Sequence, residues 1–295
     1  MHILPNSPYI DLKTLSLSGQ IFRMHPYQDT VDTYTIVHRS TVILLQQKRE
    51  KIYFQTYPVY DQRDLVYRLF RIDVDIDALS SSLKRDIFST HAVESTGKLW
   101  LLEQDHWEIL VSFIISQNKH FLHIQQCIES LCERFGQKLD TEIGSYFLFP
   151  SAESLANASL KDISLCKVGY RDVYIQRAAQ RIVDNPAVLA DLESMSDEEA
   201  ITVLTEFHGI GGKVADCILV FSYARDTLVP YDTWIRRLMH DLYGTKETAS
   251  YESLRAFNDT HFGKYAGWVQ QYMFYHARRV HKRGVSLKET WFDLG

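Results

Sequence analysis

Cysteine is scarce in this chain and ungrouped. The four thiols, Cys127, Cys132, Cys166 and Cys217, include no CxxC pair and share no Cys/His ligand spacing, which argues for reduced cysteines and against a structural zinc or iron–sulfur site. No stretch approaches the ~18 consecutive apolar residues of a membrane span. The opening MHILPNSPYI has neither a basic segment nor a following apolar run, so no secretory leader and no membrane association are expected, and the location expected is cytoplasmic. Repeats, low-complexity tracts and long Gly/Ser linkers are missing as well. With 45% hydrophobic and 23% charged residues in a length of 295, the composition excludes a disordered or fibrous chain and leaves room for one large or two ordinary globular domains.

A positive net charge is also lacking: the balance is -5, which at first argues against a nucleic-acid partner. Its distribution argues the other way. Residues 264–288 hold Lys264, Arg278, Arg279, Lys282, Arg283 and Lys288 with no acid, while six acids fall between Asp184 and Glu199. A local basic field can attract phosphate under a negative total, although a solvated helix face is the plainer reading of such a run.

Up to about residue 75 the pattern is strand-like. YTIV (34–37), TVILLQ (41–46) and KIYFQTY (51–57) are rich in β-branched and aromatic residues and separated by polar turns, as in an antiparallel sheet. IDALSSSLKRDIF (76–88) then reads as helix, and from Trp100 onward apolar residues recur every three or four positions. Trp107, Leu110, Val111, Ile114 and Ile115 form one helix face ending near Gln117–Asn118. Further helices are expected at 121–135, stopped by Gly136; at 171–184, stopped by Pro186; at 196–207, opened by Ser196 with Glu199 three residues on; and from Lys213. The expectation is an α+β chain, with a β-rich N-terminal domain over 1–98 and a helical region over 99–295.

HGIGGKVADC (208–217) puts three glycines before a lysine that opens a helix. Gly209, Gly211 and Gly212 allow positive φ and offer free N–H groups at a helix start, a setting suited to phosphate. A plain tight connection between helices is the alternative.

LTEFHGIGGKVADCILVF (204–221) followed by VPYDTWIRRLMHDLYG (229–244) resembles the helix–hairpin–helix DNA glycosylases. SGQIFR (18–23), ILVSFIISQN (109–118), KVGYRDVYIQRAA (167–179) and YAGWVQQYMF (265–274) extend the likeness, in order, to the 8-oxoguanine DNA glycosylase family. The resemblance covers roughly residues 15 to 280. It implies a helical glycosylase core of two lobes with a cleft between them. It also implies a monomer that flips 8-oxoguanine out of double-stranded DNA, preferably opposite cytosine, and needs no metal or organic cofactor.

The residue roles come from the same likeness. Lys213 would be the nucleophile and Asp232 its helper; partial desolvation in a cationic surround would lower the lysine pKa and leave free amine. Asp232 is also a good N-cap for the helix that follows. Gly19 would offer a carbonyl to the hydrogen that 8-oxoguanine, unlike guanine, carries on N7. Gln270 would read the base edge, Phe274 would stack on it, and Cys217, four residues after Lys213, would close the opposite side. Asn118, Tyr170 and Arg171 resemble residues that face the estranged cytosine or wedge the duplex open.

Three positions depart from the family pattern. His123 stands where better-known members carry a second cytosine-reading arginine, Trp234 where they often carry histidine, and His208 where proline is usual before the hairpin. A monofunctional alkylpurine glycosylase is the nearest rival, and Lys213 counts against it. A non-catalytic helix–hairpin–helix module that only grips DNA is the rival of another class.

Overall fold

The structure, a computed structural model, describes residues 1–28, 30–58, 61–282 and 284–293; Arg283 of the basic run lies outside them. Five strands, β1 (His2–Ile3), β2 (Met24–Pro26), β3 (Thr33–His38), β4 (Thr41–Lys48) and β5 (Lys51–Tyr57), form one antiparallel sheet in the order β1-β5-β4-β3-β2. The three strands expected from β-branched and aromatic content are its centre. The two edge strands were not legible, being two and three residues long, too short to show alternation. Val42, Ile43, Leu45, Ile52 and Phe54 are buried along the central strands.

The expected 76–88 helix is two helices, Ile76–Leu83 and Ile87–Thr96. Asp86 divides them. Its carboxylate accepts from the N–H groups of Phe88 and Ser89, and an N-cap residue has extended backbone that a continuing helix cannot hold. The Ile87–Thr96 helix packs on Ala266–Val280, so sequence on the strand side of the chain lies directly behind a helix of the cavity described below.

The remaining helices fall close to expectation: His106–Ser116, Phe121–Phe135, Asp172–Asp184, Asp197–Thr205, Gly212–Ser222 and Thr233–Tyr243. Ser196 and Glu199 close the expected capping box. Gly136 ends its helix for a reason the sequence hid: its φ is negative, and a Cβ there would lie 1.9 Å from the carbonyl oxygen of Leu148. Leu148 follows a two-stranded hairpin, β6 (Lys138–Thr141) with β7 (Gly144–Phe147), that stands among the helices.

The two ends of the chain share a core. Trp100 and Trp268 meet edge to face at 5.0 Å. Arg71 and Asp226 form a buried bidentate pair at 2.8 and 2.6 Å, with the Arg71 guanidinium 5.2 Å from the Trp268 ring. Removing one partner of such a pair leaves an uncompensated buried charge.

Candidate active site

A half-open cavity of about 310 Å³ lies where the Gly212–Ser222 and Ala266–Val280 helices face the loop around Gly19. Lys213, Asp232, Gly19, Cys217, Gln270 and Phe274, six side chains or turns spread over 256 residues of sequence, all line it. Helical spacing explains two of the pairings, because residues four apart share a helix face: Lys213 with Cys217, and Gln270 with Phe274.

Lys213 lies in the first turn of its helix with its Nζ 5.7 Å from the ring centroid of Phe113. Phe113 stacks on Phe221 at 5.5 Å and meets Phe22 edge-on at 5.8 Å, which gives the amine an aromatic floor. The Lys213 pKa is not lowered, contrary to the sequence expectation, although Lys119 and Arg278 line the same cavity. Cys217, hydrogen-bonded to the amine, and Asp232 with Asp216 raise the Lys213 pKa against the opposing effect of burial. The amine of the DNA-free protein is therefore an ammonium. Burial pushes the Cys217 thiol up to about 11.

Asp232 caps the Thr233–Tyr243 helix, accepting from the Ile235 N–H at 2.8 Å. Burial raises its pKa, while the Ile235 and Trp234 N–H groups, Lys213 and Arg278 stabilise the ionised form. The cap fixes a carboxylate at the cavity wall on the side of the amine.

Gly19 follows the Leu12–Leu17 helix with φ +86, a value that disfavours any side chain there. The turn is anchored from three directions. Gln271, next to Gln270, donates to the Ser18 carbonyl at 2.9 Å. Gln20 donates to the Trp100 carbonyl at 2.7 Å and accepts from the Leu102 N–H at 2.9 Å, and Gln104 donates to the Gln20 carbonyl at 2.9 Å. A mobile turn could not hold a carbonyl towards one atom of a ligand; this one is fixed. Gln270 is buried, and its Oε1 has no hydrogen-bond partner among the described residues.

The other candidates stand outside the cavity lining. Asn118 has φ +53 just beyond the His106–Ser116 helix. Tyr170 is 57% exposed, whereas Arg171 is buried and folded inward: it donates to the carbonyls of Val168 and Gln117 and to the Tyr170 hydroxyl. His123 is exposed near the start of Phe121–Phe135. Gln117 joins this group to the hairpin by donating to the Gly209 carbonyl at 3.0 Å. Of the hairpin glycines only Gly209 has positive φ, +87, and a Cβ on it would meet the Tyr174 ring at 2.4 Å. Gly211 has extended backbone and open space before it, so its smallness leaves room above the free N–H groups of the helix start.

The sequence reading missed several lining residues: Phe22, Phe113, Lys119, His120, Trp234 and Arg278. Phe22 and Phe113 lay inside quoted motifs but read as ordinary core. Arg278 could have been found, since it is four residues after Phe274 and eight after Gln270 on one helix. Among the described residues no helix is long and apolar enough to cross a membrane.

Comparison with known proteins bears on the family and the fold. Residues 3–110 match the family described as 8-oxoguanine DNA glycosylase, N-terminal domain, and residues 111–262 match the HhH-GPD superfamily of base excision DNA repair proteins. A probable N-glycosylase/DNA lyase of Methanothermobacter thermautotrophicus is 28% identical over 74% of this chain and 75% of its own. The N-glycosylase/DNA lyase of Saccharomyces cerevisiae is 25% identical over 91% of this chain and 84% of its own. A crystal structure of the Clostridium acetobutylicum 8-oxoguanine glycosylase/lyase, in complex with double-stranded DNA containing cytosine opposite 8-oxoguanine, superposes with a TM-score of 0.84. It is 31% identical and covers 92% of this chain and 93% of that one. A 3-methyladenine glycosylase from Archaeoglobus fulgidus, at 18% identity and TM-score 0.77, shares the fold.

Proposed function

Because the chain belongs to the 8-oxoguanine DNA glycosylase family of helix–hairpin–helix base-excision repair proteins, we propose that its cavity receives an 8-oxoguanine swung out of duplex DNA and that Lys213 displaces the base. The protein is a bifunctional DNA glycosylase and abasic-site lyase. One observation carries the residue assignment: an amine, a carboxylate, a glycine turn, a buried amide and an aromatic ring from distant parts of the sequence line one purine-sized cavity.

The base would enter between Phe274 and Cys217, with its N7 hydrogen towards the Gly19 turn and its Watson–Crick edge towards Gln270, whose unpartnered Oε1 is free to accept. Guanine presents a bare acceptor at N7, and an opposing carbonyl repels it. The bond from C1′ to the base breaks first, the electron pair leaving with the base; the base anion so formed takes the proton that the Lys213 ammonium must shed, and the freed Nζ then forms a bond to C1′. Asp232 stabilises the positive charge that develops on the sugar. Opening of the sugar ring gives an imine to Lys213, after which loss of a proton from C2′ expels the 3′ phosphate by β-elimination.

Asn118, Tyr170 and Arg171 would fill the gap and face the orphaned cytosine. Arg171 would first release the carbonyls it now holds. With His123 in place of an arginine, preference for cytosine rests on fewer donors. A panel of duplexes with 8-oxoguanine or guanine opposite each of the four bases tests this reading. The expected result is strand cleavage 3′ to the lesion, fastest opposite cytosine and absent with guanine. Release of 8-oxoguanine without a strand break would contradict the lyase step, and no release from any of these duplexes would favour the monofunctional alkylpurine rival.

A further inference from the structure

Arg278 is the cation of the cavity that the reading above leaves unused. It lines the same space as Lys213 and Asp232. Its guanidinium stands 5.4 Å from the ring centroid of Phe274, and Nη1 would lie 3.5 Å from a Cβ placed on Gly19. Among the described residues no carboxylate pairs with it and no hydrogen bond holds it, whereas its neighbour Arg279 donates to the Ser95 carbonyl. The side chain is exposed on its outer side. Asp232 feels its charge, which helps keep that carboxyl ionised.

An unpaired guanidinium at a cavity mouth can serve the base or the backbone. Guanidinium offers donors only, and the N7 and O6 atoms of undamaged guanine are the pair of acceptors it binds best. Aimed into the cavity it would hold the base that the Gly19 carbonyl is set to reject. Phosphate raises no such conflict, and with a base in the cavity and its sugar beside Lys213 the flanking phosphates must run along the rim.

We propose that Arg278 binds a phosphate next to the extruded nucleotide, gripping DNA only in its flipped state; this rests on the glycosylase reading above. Its partner is the phosphodiester of an opened duplex, and its chemical form is a charge-assisted, bidentate contact. Cation–π attraction to Phe274 holds the arm at the rim before DNA arrives.

The test uses a duplex carrying a tetrahydrofuran abasic analogue, which has phosphates and a flipped sugar but no base to read. Arg278→Ala is expected to weaken binding to that duplex roughly tenfold and to lower the slope of log affinity against log salt by about 0.9, with binding to undamaged duplex unchanged. Arg278→Lys should retain most of the slope. Equal affinity and slope in the alanine variant, or a loss seen only when 8-oxoguanine is present, would overturn the phosphate contact while leaving the glycosylase reading intact. Failure of the unsubstituted protein to form a borohydride-trapped complex with an 8-oxoguanine duplex would remove both.

Discussion

Lys213 keeps its proton against the effect of burial, with Cys217 as a hydrogen-bond partner and Asp232 as the acidic neighbour. The Cys217 thiol, pushed up to about 11, is uncharged at neutral pH, so its part there is a hydrogen bond to the ammonium four residues back on the same helix. On an abasic duplex no departing base exists to take the proton, so imine formation should speed up as pH rises and more amine is uncharged. In Cys217→Ala the amine loses a hydrogen-bond partner, and the profile of trapping rate against pH should move to lower pH. An unmoved profile would show that Cys217 serves only to line the cavity. The sign of this effect was not readable from the sequence. The KVADC stretch gave the residues and their helical spacing, but which charges face an amine depends on Asp232, brought from the next helix, and on Lys119 and Arg278, brought to the cavity from elsewhere in the sequence.

Between the hairpin and the wedge loop, contact is made by a few side chains. Tyr174 packs edge-on against Tyr170 at 5.7 Å and against His208 at 4.8 Å, with Gly209 pressed on its ring. Gly209→Ala must both adopt φ near +87 and move Tyr174; the backbone cost alone is about 1–2 kcal/mol. The variant is expected to show a lower denaturation midpoint and weaker binding to abasic duplex, whereas Gly211→Ala, whose Cβ meets nothing, should lose only the smaller preference for glycine over alanine at a helix N-cap. Equal losses in both would contradict this account of the hairpin. Element by element, the long amphipathic helices were legible because their caps and spacing are local: Ser196 with Glu199 and Asp232 before Thr233 are examples. The break at Asp86, the short strands β1 and β2, and the reason for Gly136 were not. Asp86 is a local cap that the 76–88 reading passed over, the two edge strands are too short to alternate, and Gly136 depends on the Leu148 carbonyl brought against it from beyond the next hairpin. The base pocket was legible only through its likeness to a family; no periodicity joins Gly19 to Phe274.

Across the whole molecule, buried acids set the pH dependence of stability. Glu108, with Oε2 buried and unpartnered, is pushed by burial up to about 8, as is Asp216, which faces Arg255 at 3.6 Å. The folded protein therefore holds protons that the unfolded chain has released above its ordinary carboxyl pKa. Stability is full below that range and falls as pH rises towards 8. Glu108→Gln should flatten the fall in melting temperature between pH 5 and 8, and an identical fall in the variant would refute the linkage. Arg278 and Arg279 close the Ala266–Val280 helix on a chain of net charge -5, and DNA binding is expected to weaken as salt rises. All of this serves a single chemical event, the bond between Lys213 and the sugar. Borohydride trapping on an 8-oxoguanine duplex, followed by mass spectrometry of the cross-linked peptide, tests it most directly. The account predicts a covalent adduct on Lys213, with no adduct but retained duplex binding in Lys213→Gln. An adduct on another residue, or undiminished trapping in that variant, would contradict it.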